Sequence, residues 1–192
     1  MSRTIRAALA IAGSLAALAG GATTAHAAGA SPSADRVQTA KDAASNTGNI
    51  VQLQAAHSGK CLGIDDPKTD NGTGALQWTC NDGTPQQWRA IPTVGSSYVL
   101  RNELSGKCLE VENSGTQAGA RGQQWDCSGG GPQLRWQTFL VDPVNELYQL
   151  RPMHTKDRCL DIDGAKTGDG VRAQQWYCNQ TPAQLWRIQP VK

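Results

Sequence analysis

Cys159-Leu160-Asp161-Ile162, followed by Gln175-Trp176-Tyr177-Cys178, is one of three copies of the same pattern in this chain. The other two copies open on Cys61-Leu62-Gly63-Ile64 and Cys108-Leu109-Glu110-Val111. They close on Gln77-Trp78-Thr79-Cys80 and Gln124-Trp125-Asp126-Cys127. The opening cysteines stand 47 and then 51 residues apart, and in every copy the second cysteine lies 19 positions after the first. A further tryptophan follows: Trp88 and Trp186 come 8 residues past the second cysteine, and Trp136 comes 9. All 6 cysteines and all 6 tryptophans are used by this pattern, two of each per copy. Self-similarity at such a period indicates a repeat architecture.

Working outward, Ile50-Val51-Gln52-Leu53-Gln54, Ser97-Tyr98-Val99-Leu100-Arg101 and Leu147-Tyr148-Gln149-Leu150-Arg151 alternate as half-buried strands do. Ser58-Gly59, Asn71-Gly72, Ser105-Gly106 and Asp163-Gly164 punctuate them as turns. No helical period runs through this part of the chain. The expectation is an all-β fold with about four short strands per copy, the copies covering about 49–95, 96–145 and 146–192. Six cysteines allow 15 connectivities, and the repeat symmetry selects Cys61–Cys80, Cys108–Cys127 and Cys159–Cys178. Each bridge closes a loop of roughly 20 residues, worth about 3 kcal/mol on the chain-entropy model. Paired short C-x-x-C spacing is missing, so no metal is expected on these sulfurs, and no cofactor is expected at all.

Ahead of the repeats, Arg3 and Arg6 precede an uncharged apolar run from Ala7 to about Leu18, and Ala25-His26-Ala27 offers small residues at a cleavage site. Residues 1–27 therefore read as an export signal, too short to anchor the chain in a bilayer. Residues 28–48, rich in Ala, Ser, Asp and Thr, read as a mobile leader with at most a short helix near 37–44. The whole chain has 18 Lys and Arg against 16 Asp and Glu, so loss of Arg3 and Arg6 leaves it balanced. A neutral chain carries no footprint for nucleic acid or an anionic membrane, and a secreted monomer with neither partner is expected.

The triple Cys-Leu-x-Ile/Val…Gln-Trp-x-Cys…Gln-x-Trp pattern resembles the ricin B-type lectins, and the resemblance covers about residues 49–190. Gln86-Gln87-Trp88 and Gln184-Leu185-Trp186 match the Q-x-W motif, whereas Gln133-Leu134-Arg135-Trp136 carries one residue more. The resemblance implies a β-trefoil of three lobes and a carbohydrate-binding function.

The strand pattern locates a candidate site independently. Leu160 and Ile162 alternate with Asp161 and Asp163, which sends the apolar pair to the core and the acids outward. With Cys159 placed opposite Cys178, Asp161 falls opposite Trp176 and Asp163 opposite Gln174. A carboxylate accepts bonds from vicinal hydroxyls, and an indole receives the C–H face of a pyranose. The resemblance adds that the acid two after the first cysteine, the aromatic two before the second, and an Asn-Gln pair before the last tryptophan bind sugar. The third copy supplies Asp161, Trp176 and Gln184 with Gln174 nearby, although Ala183 stands where Asn is expected. The second supplies Glu110, Gln123 and Trp125. The first keeps Trp78 and Gln86, but has Gly63 at the acid position, Leu76 opposite Asp65, and Pro85 at the Asn position, so no binding is expected of it. Trp88, Trp136 and Trp186 open closing strands and are expected in the core.

Three other readings compete. The acidic pairs Asp65-Asp66, Glu110-Glu112 and Asp161-Asp163 invite a glycosidase, but on an open shelf nothing raises one pKa, so no enzyme is expected. His57 and His154 sit at turns and are expected to be structural. The competitor of another class is a secreted trefoil that binds a protein, or a stable scaffold, as the eroded first copy and irregular second copy suggest.

Overall fold

The computed structural model describes residues 48–65 and 67–191. The expected export signal, the leader up to residue 47 and its short helix lie outside the described residues. Each copy contributes four strands. The first holds β1 (Asn49–Ala55), β2 (Cys61–Ile64), β3 (Ala75–Trp78) and β4 (Trp88–Thr93). The second holds β5 (Ser97–Asn102), β6 (Cys108–Val111), β7 (Gly122–Trp125) and β8 (Arg135–Asp142). The third holds β9 (Leu147–Pro152), β10 (Arg158–Ile162), β11 (Val171–Tyr177) and β12 (Trp186–Pro190).

The first and last strands of each copy close a barrel: β1 pairs with β4 and β12, β5 with β4 and β8, and β9 with β8 and β12, all antiparallel. Closure removes the unpaired edges that short strands would otherwise expose. The middle strands form the hairpins β2–β3, β6–β7 and β10–β11, which cap one end of the barrel. Short bridges tie the hairpins in a ring: Gly74 to Gln123, Arg121 to Gln174, and Arg172 to Leu76. This is a β-trefoil.

The core explains why the pattern recurs. Leu62, Leu109 and Leu160, each following an opening cysteine, are fully buried beside Trp88, Trp136 and Trp186. Burying an indole leaves its N–H to be satisfied, because an unpaired buried donor costs about 1–3 kcal/mol. Trp88 Nε1 donates to the Leu62 carbonyl at 2.9 Å, Trp136 Nε1 to Leu109 at 3.0 Å, and Trp186 Nε1 to Leu160 at 3.1 Å. The closing tryptophans thus lock each fourth strand onto the hairpin of its own copy.

A second set of residues joins one copy to the next. Gln77 Nε2 donates to the carbonyls of Lys166 and Gly168, Gln124 Nε2 to those of Lys68 and Asp70, and Gln175 Nε2 to those of Gly115 and Gln117. All three glutamines are fully buried. Each grips the loop of the preceding copy, and the last copy closes the ring on the first. His57 Nε2 lies 3.1 Å from the Lys166 carbonyl and His154 Nε2 2.8 Å from that of Gly115, so both histidines are turn residues that also hold these loops.

The disulfides are Cys61–Cys80, Cys108–Cys127 and Cys159–Cys178, with Cα atoms 4.9, 5.2 and 5.1 Å apart, and no cysteine is free.

Candidate functional site

The register of the third hairpin differs from the expected one by two residues. Cys159 stands opposite Trp176, Leu160 opposite Gln175, Asp161 opposite Gln174, and Ile162 opposite Ala173. Cys178 lies past the end of β11, where its N–H donates to the Asp157 carbonyl, so the disulfide spans the ladder diagonally rather than squarely. Asp161 therefore faces Gln174 instead of Trp176. Asp163 has left the ladder for a 3-10 turn, Asp163–Ala165, where Lys166 and Arg172 flank its carboxylate at 3.6 and 3.5 Å. The same shift in the first copy puts Leu76 opposite Gly63 and not Asp65.

The structure nonetheless brings the expected residues together. Side chains two apart on a strand share a face, so Asp161, Gln174 and Trp176 lie on the face away from Leu160 and Ile162. Gln174 Nε2 donates to Asp161 Oδ1 at 2.9 Å, and Gln184 Nε2 donates to Oδ2 at 3.1 Å. Gln184 reaches the acid from the 3-10 turn Pro182–Gln184 and is itself fixed, donating to the Tyr177 carbonyl and accepting from the Asn179 N–H. Asp161 retains only 6 % of its exposure, because that turn folds over the strand. Burial holds its carboxyl above the ordinary carboxylate range, against the opposing pull of the two amides. The expectation that these acids stand on an open shelf where nothing raises a carboxyl pKa is thereby corrected.

The second copy repeats half of this. Gln123 Nε2 donates to Glu110 Oε1 at 2.8 Å, and burial raises the Glu110 carboxyl too. The additional residue of this copy is taken up by the glycine-rich turn before Pro132. Leu134 then ends the 3-10 turn Pro132–Leu134 two residues before Trp136, as Gln86 and Gln184 do before Trp88 and Trp186. Leu134 is buried and gives Glu110 no second amide, and Gln133 falls at the place of Pro85 and Ala183. In the first copy a Cβ on Gly63 would come within 2.9 Å of Gln86 Cγ and 3.2 Å of the Pro85 carbonyl. An acid at this position would have to displace the Gln86 side chain. Gln86 keeps its backbone contacts, donating to the Thr79 carbonyl and accepting from the Asn81 N–H.

The second-position tryptophans are the exposed ones. Trp78, Trp125 and Trp176 keep 38, 43 and 40 % of their surface, whereas Trp88, Trp136 and Trp186 keep none. Each exposed ring also lies beside a glycine of a neighbouring copy, Trp78 by Gly170, Trp125 by Gly72 and Trp176 by Gly119, a feature that reading each repeat by itself misses. A Cβ on Gly119 would lie 3.7 Å from Trp176 Cζ3 and 3.9 Å from Gln174 Oε1, and one on Gly72 would lie 3.8 Å from Trp125 Cζ3. Both glycines have positive φ, +87° and +83°, which an L side chain rarely adopts. The sequence signal was present in the invariant Gln before each exposed Trp, whose amide holds that loop. Among the described residues, no three His, Cys, Asp or Glu side chains gather to hold a metal, and no helix is long and apolar enough to cross a membrane.

The family model for the ricin-type β-trefoil lectin domain-like proteins matches residues 36–125, 93–176 and 132–192. This chain belongs to that family. Among solved structures, this ricin-type trefoil is similar to a designed threefold-symmetric protein, ThreeFoil, with 33 % identity over 74 % of this chain and 99 % of that one, at a TM-score of 0.69. It is also similar to an exo-β-1,3-galactanase from Clostridium thermocellum, with 28 % identity and a TM-score of 0.70. That match covers 74 % of the trefoil chain and 30 % of the galactanase. The Macrolepiota procera ricin B-like lectin, solved with lactose, shares the fold at 20 % identity and a TM-score of 0.64, over 75 % of this chain and 96 % of that one.

Proposed function

We propose that this protein is a secreted, non-enzymatic carbohydrate-binding protein whose principal site lies in the third repeat. The supporting observation is the state of Asp161. A carboxylate offers about four acceptor positions; two amides occupy two of them, and burial makes the remaining capacity poorly served by solvent. Vicinal hydroxyls would satisfy it, while the half-exposed Trp176 takes the apolar face of the same sugar. Gln184 and Gln174 act by positioning the carboxylate. Glu110, Gln123 and Trp125 form a weaker second site, because Leu134 leaves Glu110 with one amide. Carbohydrate is the partner, and the three disulfides suit an extracellular protein. NMR titration of the protein with simple sugars and polysaccharide fragments tests this reading: the Trp176 indole resonance should shift saturably. If no sugar moves it, the alternative of a protein-binding or scaffolding trefoil, favoured by the loss of the acid in the first copy, takes its place.

A further inference from the structure

The end of the barrel away from the hairpins is built differently in the three copies. Val51, Tyr98 and Tyr148 are equivalent, since they stand opposite Trp88, Trp136 and Trp186 respectively. Ala90, Thr138 and Ile188 are likewise equivalent, each two residues past its closing tryptophan. The first copy thus places Val and Ala where the other copies place Tyr with Thr or Ile. The described residues leave a cavity of about 600 Å³ there, floored by Leu53, Leu100, Leu150 and Trp136 and walled by Tyr98 and Tyr148. No lining residue is charged. Beyond it, the turns after β4 and β8 expose Val94 and Val144, and β8 exposes Leu140 opposite Tyr148.

We propose that this open end of the barrel is a second ligand site, separate from the tryptophan sites and independent of the carbohydrate reading, which takes a small uncharged molecule with an aromatic or alicyclic body. Three observations favour that occupant. The volume is that of sites for small organic molecules, roughly 300–1,000 Å³. The uncharged lining would leave an ionic group desolvated without a partner, a heavy cost. The aromatic walls provide edge and face contacts to a ring, and the Asn49, Thr138 and Tyr side chains among the lining residues suit one hydroxyl or carbonyl.

The probe is N-phenyl-1-naphthylamine, an uncharged dye that brightens in apolar surroundings. It should bind the full protein saturably at one site per chain. Ala90→Phe, which fills the cavity, should weaken binding at least tenfold, and Trp176→Ala should leave it unchanged. Val51→Tyr repeats a residue that the barrel already accommodates at two equivalent positions, so it should fold and weaken binding in the same way should Ala90→Phe fail to fold. Absence of saturable binding, binding unchanged in both cavity variants, or binding lost in Trp176→Ala would overturn the proposal. So would a dimer that Val144→Asp dissociates, which makes this end a self-interface. Dye binding that appears only after proteolytic removal of the residues ahead of Gly48 would assign the cavity to the chain itself, and would equally overturn it.

Discussion

Gln184 and Gln174 each hold one oxygen of Asp161, the former from a 3-10 turn at 3.1 Å and the latter across the β10–β11 ladder at 2.9 Å. The carboxylate is therefore preset in one orientation while its surroundings keep water away. Preorganisation of this kind lowers the cost of ordering on binding, which matters for a shallow site expected to bind a monosaccharide weakly.

Replacing Asp161 by Ala should remove a charge-assisted bond to the sugar and cost about 1.5–3 kcal/mol of binding free energy. Isothermal calorimetry or NMR titration measures it. Parent-like affinity in the variant would place the sugar elsewhere.

The raised Asp161 carboxyl has two consequences of fixed sign. Sugar affinity, which needs the carboxylate, should fall on acidification at a pH above the ordinary Asp range. Stability moves the other way. The folded state holds this proton more tightly than the unfolded one, so the group's contribution declines as pH rises from the unfolded to the folded pKa and stays at its lower level beyond. Asp161→Asn should flatten both profiles near that window. Titration curves for parent and variant that superimpose would contradict this.

Trp176→Ala should abolish detectable sugar binding with little change in melting, because 40 % of that ring remains exposed. Trp88→Ala should instead cost about 3–5 kcal/mol of stability, as for a large aromatic removed from a core. Trp78→Ala should change neither property much, since no acid stands beside it at Gly63. Thermal melts and titrations of the three variants decide the matter, and the opposite ordering of Trp78 and Trp88 would sink it.

Gln124 should prove structural. Gln124→Ala strands the Lys68 and Asp70 carbonyls and the Ser105 hydroxyl, which now bond to it, at a cost of about 1–3 kcal/mol for the unsatisfied groups. The loosened loop carries Gly72, which lies beside Trp125. Hydrogen exchange should quicken at Gly72 and Thr73, and any sugar binding at the second site should weaken with Glu110 untouched.

Protein recovered from the medium should begin at or near Ala28 and contain three disulfides with no free thiol. Intact mass before and after alkylation reads both. A retained leader sequence would defeat the export reading.

The repeat, the all-β class, the disulfide partners and the division of the six tryptophans were legible in the sequence by itself. These features are local or recur three times: a cysteine spacing of 19, an alternation of period two, and a tryptophan following each loop at nearly constant distance. Strand alternation placed Asp161, Gln174 and Trp176 on one face, and the family resemblance added Gln184. What the tertiary structure alone decided was their mutual placement. A disulfide tolerates a range of Cα separations and so does not determine a register: placing its cysteines opposite one another sets Asp161 against Trp176, whereas the ladder pairs it with Gln174. The burial of that acid depends on Gln184, 23 residues away, and the substitution of Leu134 for the equivalent glutamine depends on where a glycine-rich turn absorbs one residue. The placement of Gly119 beside Trp176 joins different copies. Such relations arise from closure of the barrel around three hairpins, and strand alternation within one repeat carries no information about which loop of another repeat will lie against it.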